Sequence, residues 1–236
     1  MWNDIYNELI KSTRTPGDRF YRGHSIAEWP LLPSLGRFVK LPENVEQNTY
    51  FDFVTKAGDL LPRNSDSWSV LFTMQHHGLP TRLLDWSETM AVALYFAVRT
   101  GEEDAAIWVL DPYVLNNLNI DRSEILNPTE LEYTYDEIYI TKKNEAKSKV
   151  VAISPLRHDP RVFHQRSGFT LHHDLNEPLE KICPDALKKI IIPKAVRRDA
   201  NRFLRMAGIS EFSLFPDFDG LSRELYLENF NKLKQK

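Results

Sequence analysis

The sequence predicts an α+β fold: a single domain over residues 1–236, with short strands set among several packed helices. Three observations predict it. Apolar residues recur at helical spacing in several stretches. Short aromatic or β-branched runs, bounded by turn residues, recur between them. The two kinds of element do not alternate regularly, which disfavours a doubly wound sheet.

Taken in order, Asp4 to Ile10 predicts a short helix and Thr15-Pro16-Gly17-Asp18 a turn. Phe20-Tyr21-Arg22-Gly23 reads as a short strand ending at a glycine, and Trp29 to Pro33 is too proline-rich for a helix or central strand. Tyr50, Phe53, Val54, Ala57 and Leu61 give a helical stripe from about Glu43 to Leu61. Trp68, Leu71 and Phe72 start another, extended by Gln75 and His76 and stopped by Gly78 and Pro80. Met90, Ala93, Leu94, Ala97 and Val98 form a third, with Asp85 or Ser87 as its cap. Gln75 to Ser87 is then expected to be a polar loop clamped between two buried helices. Ala106 to Leu110, Val150 to Ile153 and Lys189 to Pro193 predict strands, and Arg161 to His173 two extended pieces around Ser167-Gly168. A helix follows with Pro193 near its first turn, Gly208 past its end and Val196, Ala200, Phe203, Leu204 and Ala207 buried. A charged helix from Leu221 closes the chain. Residues 113–148 are mixed and read least well.

The apolar fraction of 42% excludes wholesale disorder. No apolar run reaches the roughly 18 residues of a membrane span, and Met1-Trp2-Asn3-Asp4 does not read as a secretory signal. The single cysteine, Cys183, leaves no internal disulfide, so the expected compartment is the cytoplasm, with no membrane partner. The net charge of -3 gives no global attraction to nucleic acid. Lys194, Arg197, Arg198, Arg202 and Arg205 nevertheless fall within roughly 140° of one helix. That face is expected to be solvated or paired with acidic residues such as those of segment 121–137, with phosphate binding as the alternative.

Arg22, between Tyr21 and Gly23, can present a planar fork to a carboxylate or pyrophosphate, and Gly23 lets a ligand approach the backbone. Its structural alternative is an ion pair with a carboxylate such as Asp85. Arg82 and Asp85 are close enough to bond each other and hold the loop, or one of them faces a ligand with Trp86 as a stacking surface. His77, beside Gly78, is a candidate for a pocket wall. Adjacent histidines diverge by roughly 100° on a helix, so neither His76-His77 nor His172-His173 suggests a metal site. Gln165 could orient a ligand amide or satisfy backbone groups. Asp217 and Asp219 read as a turn capping the last helix or as a catalytic carboxylate, with Glu211 competing for the second role. Arg22, Arg82, Asp85 and Gln165 are expected to converge on one cavity, because buried polar groups need partners.

Four stretches in order resemble the FRG domain, a bacterial and phage family named for a Phe/Tyr-Arg-Gly motif. They are Phe20 to Gly23; Gln75 to Ser87 with Ala93 to Ala97; Arg161 to Thr170; and Gly208-Ile209-Ser210 through Phe215 to Gly220. A remoter resemblance is to ADP-ribosyltransferases. It implies that Arg22 holds NAD, that Ser87 or Tyr95 shapes the nicotinamide pocket, and that a late carboxylate, Asp217 or Glu211, takes the place of the usual glutamate. Under that resemblance the catalytic set is Asp217, Arg22 and His77. Arg22, Gly23, Arg82, Asp85, Trp86, Ser87, Tyr95 and Gln165 form the cofactor site. The implied activity is transfer of ADP-ribose from NAD to a protein or nucleic acid by a toxin or phage-defence effector. The alternative is a non-catalytic module that senses a nucleotide or nucleic acid, and a histidine-based nuclease stands behind both.

Overall fold

Among the described residues six strands form where the chain alternates or concentrates apolar residues, and they assemble one antiparallel sheet. A computed structural model describes residues 1–13, 19–154 and 167–230. The strands are β1 (Phe20–His24), β2 (Leu83–Ser87), β3 (Ala105–Leu110), β4 (Val150–Ile153), β5 (Ser167–His172) and β6 (Leu187–Ile192), in the order β4-β5-β2-β1-β3-β6. The larger helices are α1 (Trp2–Ser12), α2 (Val45–Ala57), α3 (Ser67–His76), α4 (Met90–Val98) and α5 (Pro112–Ile120). Four follow β5: α6 (Leu179–Ile182), α7 (Arg197–Met206), α8 (Glu211–Leu214) and α9 (Phe218–Asn229). The α+β expectation is met.

Side chains alternate across each strand, so the register divides the core. On one face, Tyr21, Ile107, Val109, Ile190 and Ile192 pack under α1, α4 and α7. On the same face, Leu83, Val151, Ile153, Phe169 and Leu171 pack with Trp68 and Leu71 of α3 and with Tyr135 to Ile140, a single π-helical turn. The opposite face buries Phe20, Leu84, Trp86, Trp108, Leu110, Val150 and Ala152 against Leu115 of α5 and Leu179 of α6.

The boundary between the two clusters of the first face coincides with a weak seam. β1 pairs β3 at five positions, β2 pairs β5 at five and β3 pairs β6 at six. β1 and β2 pair only at Tyr21↔Ser87. The sheet opens there.

Several expectations need correction. Residues 83–87 are not loop but strand. Leu83, Leu84 and Trp86 are buried on both faces while Asp85 is exposed, and only a strand next to β5 gives that pattern. Ser87 does not cap α4 in the usual position. Its Oγ accepts from Thr89 N at 3.0 Å, one residue ahead of the helix, and Thr89 is the cap residue. The stripe expected on Glu43 to Leu61 buries no residue of α2, because that helix lies on the rim. Ala207 is exposed, since α7 ends at Met206 and Gly208 takes a φ of 70°. The turn expected at 15–18 lies outside the described residues. Asp111 caps α5, accepting from Tyr113 N and Val114 N, and Pro112 begins it, which organises the start of the segment read least well.

The basic helix divides. Arg197 is buried and donates to the carbonyls of Glu103, Thr100 and Ser25 at 2.6–2.8 Å, so it ties α7 to the sheet. Lys194 pairs with Glu102 at 3.4 Å, and neither takes a partner from 121–137. Arg198, Arg202 and Arg205 are exposed. No described helix is long and apolar enough to cross a membrane.

Candidate functional site

The open seam between β1 and β2 is where the candidate site forms. Continuing the Tyr21↔Ser87 register would set Gly23 opposite Asp85, but no ladder forms there. Arg22 substitutes for it: Nη1 donates to the Asp85 carbonyl at 2.5 Å and lies 3.9 Å from Asp85 Oδ2. Gly23 serves the fold at the same point. A Cβ on it would collide with the Ala93 carbonyl and the Ala97 nitrogen, so the glycine admits α4 against β1 rather than a ligand.

A cavity of about 910 Å³ surrounds the seam, within the range of small-ligand sites. It draws residues from both faces of the sheet. Arg22, His24 and Trp86 come from one face, Val92, Ala93 and Phe96 of α4 from the other, and Trp29, Arg37, Phe38 and Val39 from the loop after β1. Phe215, edge-on to Phe96 at 6.2 Å, adds a wall from beyond α8. Trp29, Phe38 and Val39 are exposed at its rim.

The electrostatics centre on Arg22. Burial lowers its pKa to about 10, with the Asp85 charge opposing and the nearby Arg37 charge adding to the fall. Nε donates to His24 Nε2 at 3.2 Å, and Nη2 has no hydrogen-bond partner among the described residues. His24 Nε2 is therefore an acceptor, and Nδ1 must carry the proton it gives to the Trp29 carbonyl at 3.1 Å. Burial, then the Arg22 charge, push the His24 pKa down to about 3, so it stays neutral. Arg37 is exposed and spends Nε on the Leu32 carbonyl at 3.1 Å. Asp85 is the one carboxylate among the described residues that lines the cavity. Its Oδ2 accepts from Gln75 Nε2 at 2.7 Å.

The expected convergence is partial. Arg22 and Asp85 meet, and Gly23, Trp86 and Ser87 join them. Trp86 is held in the core, its Nε1 donating to Thr170 Oγ1 at 3.1 Å, so it forms a wall rather than a free stacking face. Arg82 does not join. It does not bond Asp85 either, because Nε and Nη2 form a fork with Glu46 at 2.6 and 2.7 Å. Nη1 takes the His172 and His173 carbonyls, and the guanidinium lies 4.2 Å over the Tyr139 ring. Burial opposes its charge, but the Glu46 hydrogen bonds and charge outweigh that and raise its pKa. Arg82 thus locks the sheet to α2 and the π-helical turn. Gln165 lies outside the described residues.

His77 is exposed at the end of α3, its ring 4.9 Å from that of His76, and is not among the lining residues. Asp217 caps α9, accepting from Gly220 N at 2.7 Å, and Asp219 is exposed in the first turn; neither lines the cavity. Tyr95 and Glu211 hydrogen-bond each other instead of facing it. Glu211, 4% exposed, also holds Arg99 at 3.0 Å and Arg223 at 3.2 Å, fastening α8 and α9 to α4. Burial, then the Glu211 bond, raise the Tyr95 pKa. Burial likewise raises that of the Cys183 thiol, which suits a core residue rather than a nucleophile.

Sequence reasoning missed His24, Trp29, Arg37, Phe38 and Phe215. His24 was within reach, since a period of two puts it on the same side of β1 as Arg22. The others come from loops whose course no periodicity announces.

Comparison with curated proteins and with solved structures gives no match. Residues 18–106 match the family model of the FRG domain, a stretch that holds every cavity-lining residue except Phe215.

Proposed function

We propose that the cavity binds a nucleotide by its phosphates, that NAD is the ligand, and that the protein transfers ADP-ribose. One observation carries the anion site: Arg22 is a desolvated cation whose nearest carboxylate among the described residues is 3.9 Å away and whose Nη2 has no hydrogen-bond partner among them. A buried charge left short of partners is costly, and an incoming phosphate supplies them. Arg37 adds a second guanidinium, and Trp29 and Phe38 offer rings for a base.

In the transfer, the bond between ribose C1′ and the nicotinamide nitrogen breaks, and its electron pair leaves with nicotinamide. An acceptor oxygen or nitrogen then bonds C1′ and gives up its proton to solvent water. A carboxylate near C1′ stabilises the positive charge that develops, and we assign that role to Asp85, which lines the cavity, rather than to Asp217, which caps a helix. The role that goes with this activity is that of a toxin or phage-defence effector acting on a protein or nucleic acid. The second reading is a nucleotide sensor without chemistry. It is favoured by the engagement of both late carboxylates elsewhere, Asp217 at a helix cap and Glu211 between two arginines.

Calorimetry with NAD, and chromatography for free nicotinamide in the presence of cell extract as acceptor, test both. Binding with release of nicotinamide supports the transferase. Binding without release supports the sensor. No binding at millimolar NAD overturns the nucleotide site.

A further inference from the structure

We infer that Gln75 and Thr81 are positioning residues that hold Asp85 to receive the sugar diol of the ligand, which makes the cavity selective for ribonucleotides over deoxyribonucleotides. This deepens the nucleotide reading above and rests on it.

The donors and acceptors run in one direction through the Gln75 to Ser87 segment. Leu83 N donates to Thr81 Oγ1 at 3.1 Å. The Thr81 hydroxyl, having accepted there, donates to Gln75 Oε1. With its oxygen taken, Gln75 must present its amide nitrogen outward, and Nε2 reaches Asp85 Oδ2 at 2.7 Å. Thr81 is 2% exposed and is itself clamped, its N donating to Ser34 Oγ at 3.0 Å and its carbonyl accepting from Leu35 N at 3.0 Å. A buried, twice-anchored hydroxyl therefore sets the orientation of a carboxylate that is itself half-exposed in the cavity. An Asp with no such support would lose rotamer freedom on binding; here that ordering is already done.

The remaining capacity of Asp85 decides the ligand. Oδ1 has no partner among the described residues, and Oδ2 keeps a lone pair beside the Gln75 bond. An ionised carboxylate only accepts hydrogen bonds. The ligand must therefore bring donors, and must bring them close to the anion held by Arg22, whose Nη1 is 3.9 Å from Oδ2. In a nucleotide the groups that donate near the phosphate are the ribose hydroxyls, whereas base amines lie farther along. A carboxylate facing a vicinal diol is also the arrangement that dinucleotide folds use to read ribose.

The test is calorimetric titration of the full chain with ADP, 2′-deoxy-ADP and 3′-deoxy-ADP. The wild type should bind ADP roughly tenfold more tightly than either deoxy analogue, the size expected for one lost charge-assisted hydrogen bond. Gln75→Leu and Thr81→Val should each bring that ratio towards one by weakening ADP alone. Asp85→Asn, at a half-exposed site whose replacement leaves the core intact, should abolish the preference. A purely structural role would weaken all three ligands together and leave the ratio unchanged, which overturns the inference. Equal affinities for ADP and its deoxy analogues in the wild type overturn it too, with the nucleotide site standing. Failure to bind ADP or NAD at all removes the nucleotide reading and this inference with it.

Discussion

Arg22 lies in β1 and Arg82 immediately before β2, the neighbouring strand, and the structure uses them in opposite ways. Arg82 fills its guanidinium: a fork to Glu46, two backbone carbonyls and the face of Tyr139. Arg22 makes two hydrogen bonds and stands off from an exposed carboxylate. Burial acts against the charge at both sites, yet the pKa rises at Arg82 and falls at Arg22, because only Arg82 has a carboxylate on its fork. A saturated guanidinium is a fastener, and an under-used one beside a cavity is a binding site. The same distinction separates two carboxylates, Glu211 and Asp85. Glu211 holds three partners, and Oδ1 of Asp85 has none among the described residues.

The comparison breaks most sharply on stability. Arg82→Met leaves the largely buried Glu46 side chain without its counterion and should cost about 3 kcal/mol in denaturant unfolding. Arg22→Met should cost only about 1 kcal/mol while removing nucleotide binding. Equal losses of stability would erase the difference between the two sites.

Acid comes next. Burial holds His24 and His172 at about 3 and His173 at about 4, against an ordinary value of 6.5. Below pH 6.5 the unfolded chain binds protons that the native state refuses. Stability should therefore be full above about pH 7 and fall between 6.5 and 4, by about 1.4 kcal/mol per pH unit for each histidine. Thermal melts across that range would show it. His24→Asn, at the Arg22 site, and His173→Asn, at the Arg82 site where Tyr133 and Tyr139 bond the ring, should each remove about one proton from the slope.

Glu211→Gln should cost about 1–3 kcal/mol, because Arg99 and Arg223 lose their shared anion and α8–α9 loosens from α4. Nucleotide affinity should weaken as well, since Phe215 belongs to the same segment and forms a wall of the cavity. The smallest effect is expected at Asp217. Asp217→Ala removes a helix cap and should lower stability by about 1 kcal/mol, with nucleotide affinity unchanged. A loss of turnover in that variant with binding intact would return the catalytic role to Asp217.

Much of the fold was legible because periodicity reports burial directly. Ala105 to Leu110 is apolar throughout and is buried at every position, as is Val150 to Ile153. Ala93, Leu94, Ala97 and Val98 of the stripe expected on α4 are buried for the same reason, with Val92 and Tyr95 buried beside them and Met90 only partly. Residues 83–87 were misread because Leu83-Leu84-Asp85-Trp86 lacks clean alternation, being covered on both faces by clusters from distant segments. Part of the candidate site was legible too. Arg22 and Asp85 stood out as polar residues in apolar surroundings, and they meet. Arg82 stood out equally and went elsewhere, because its partner Glu46 lies 36 residues away on α2 and no local signal announces it.

The sequence by itself determined most of the elements, though not β2, together with the strand that carries Arg22, the motif that carries Asp85 and the mixed α+β class, since each follows from residues within a turn or two of one another. Only the tertiary structure decided which charged groups would be satisfied. That outcome depends on the seam left where β1 and β2 pair at a single position, and on carboxylates such as Glu46 and Glu211 brought in from far along the chain. Hydrogen-bond saturation is a property of contacts across long loops, and composition and spacing carry no record of it.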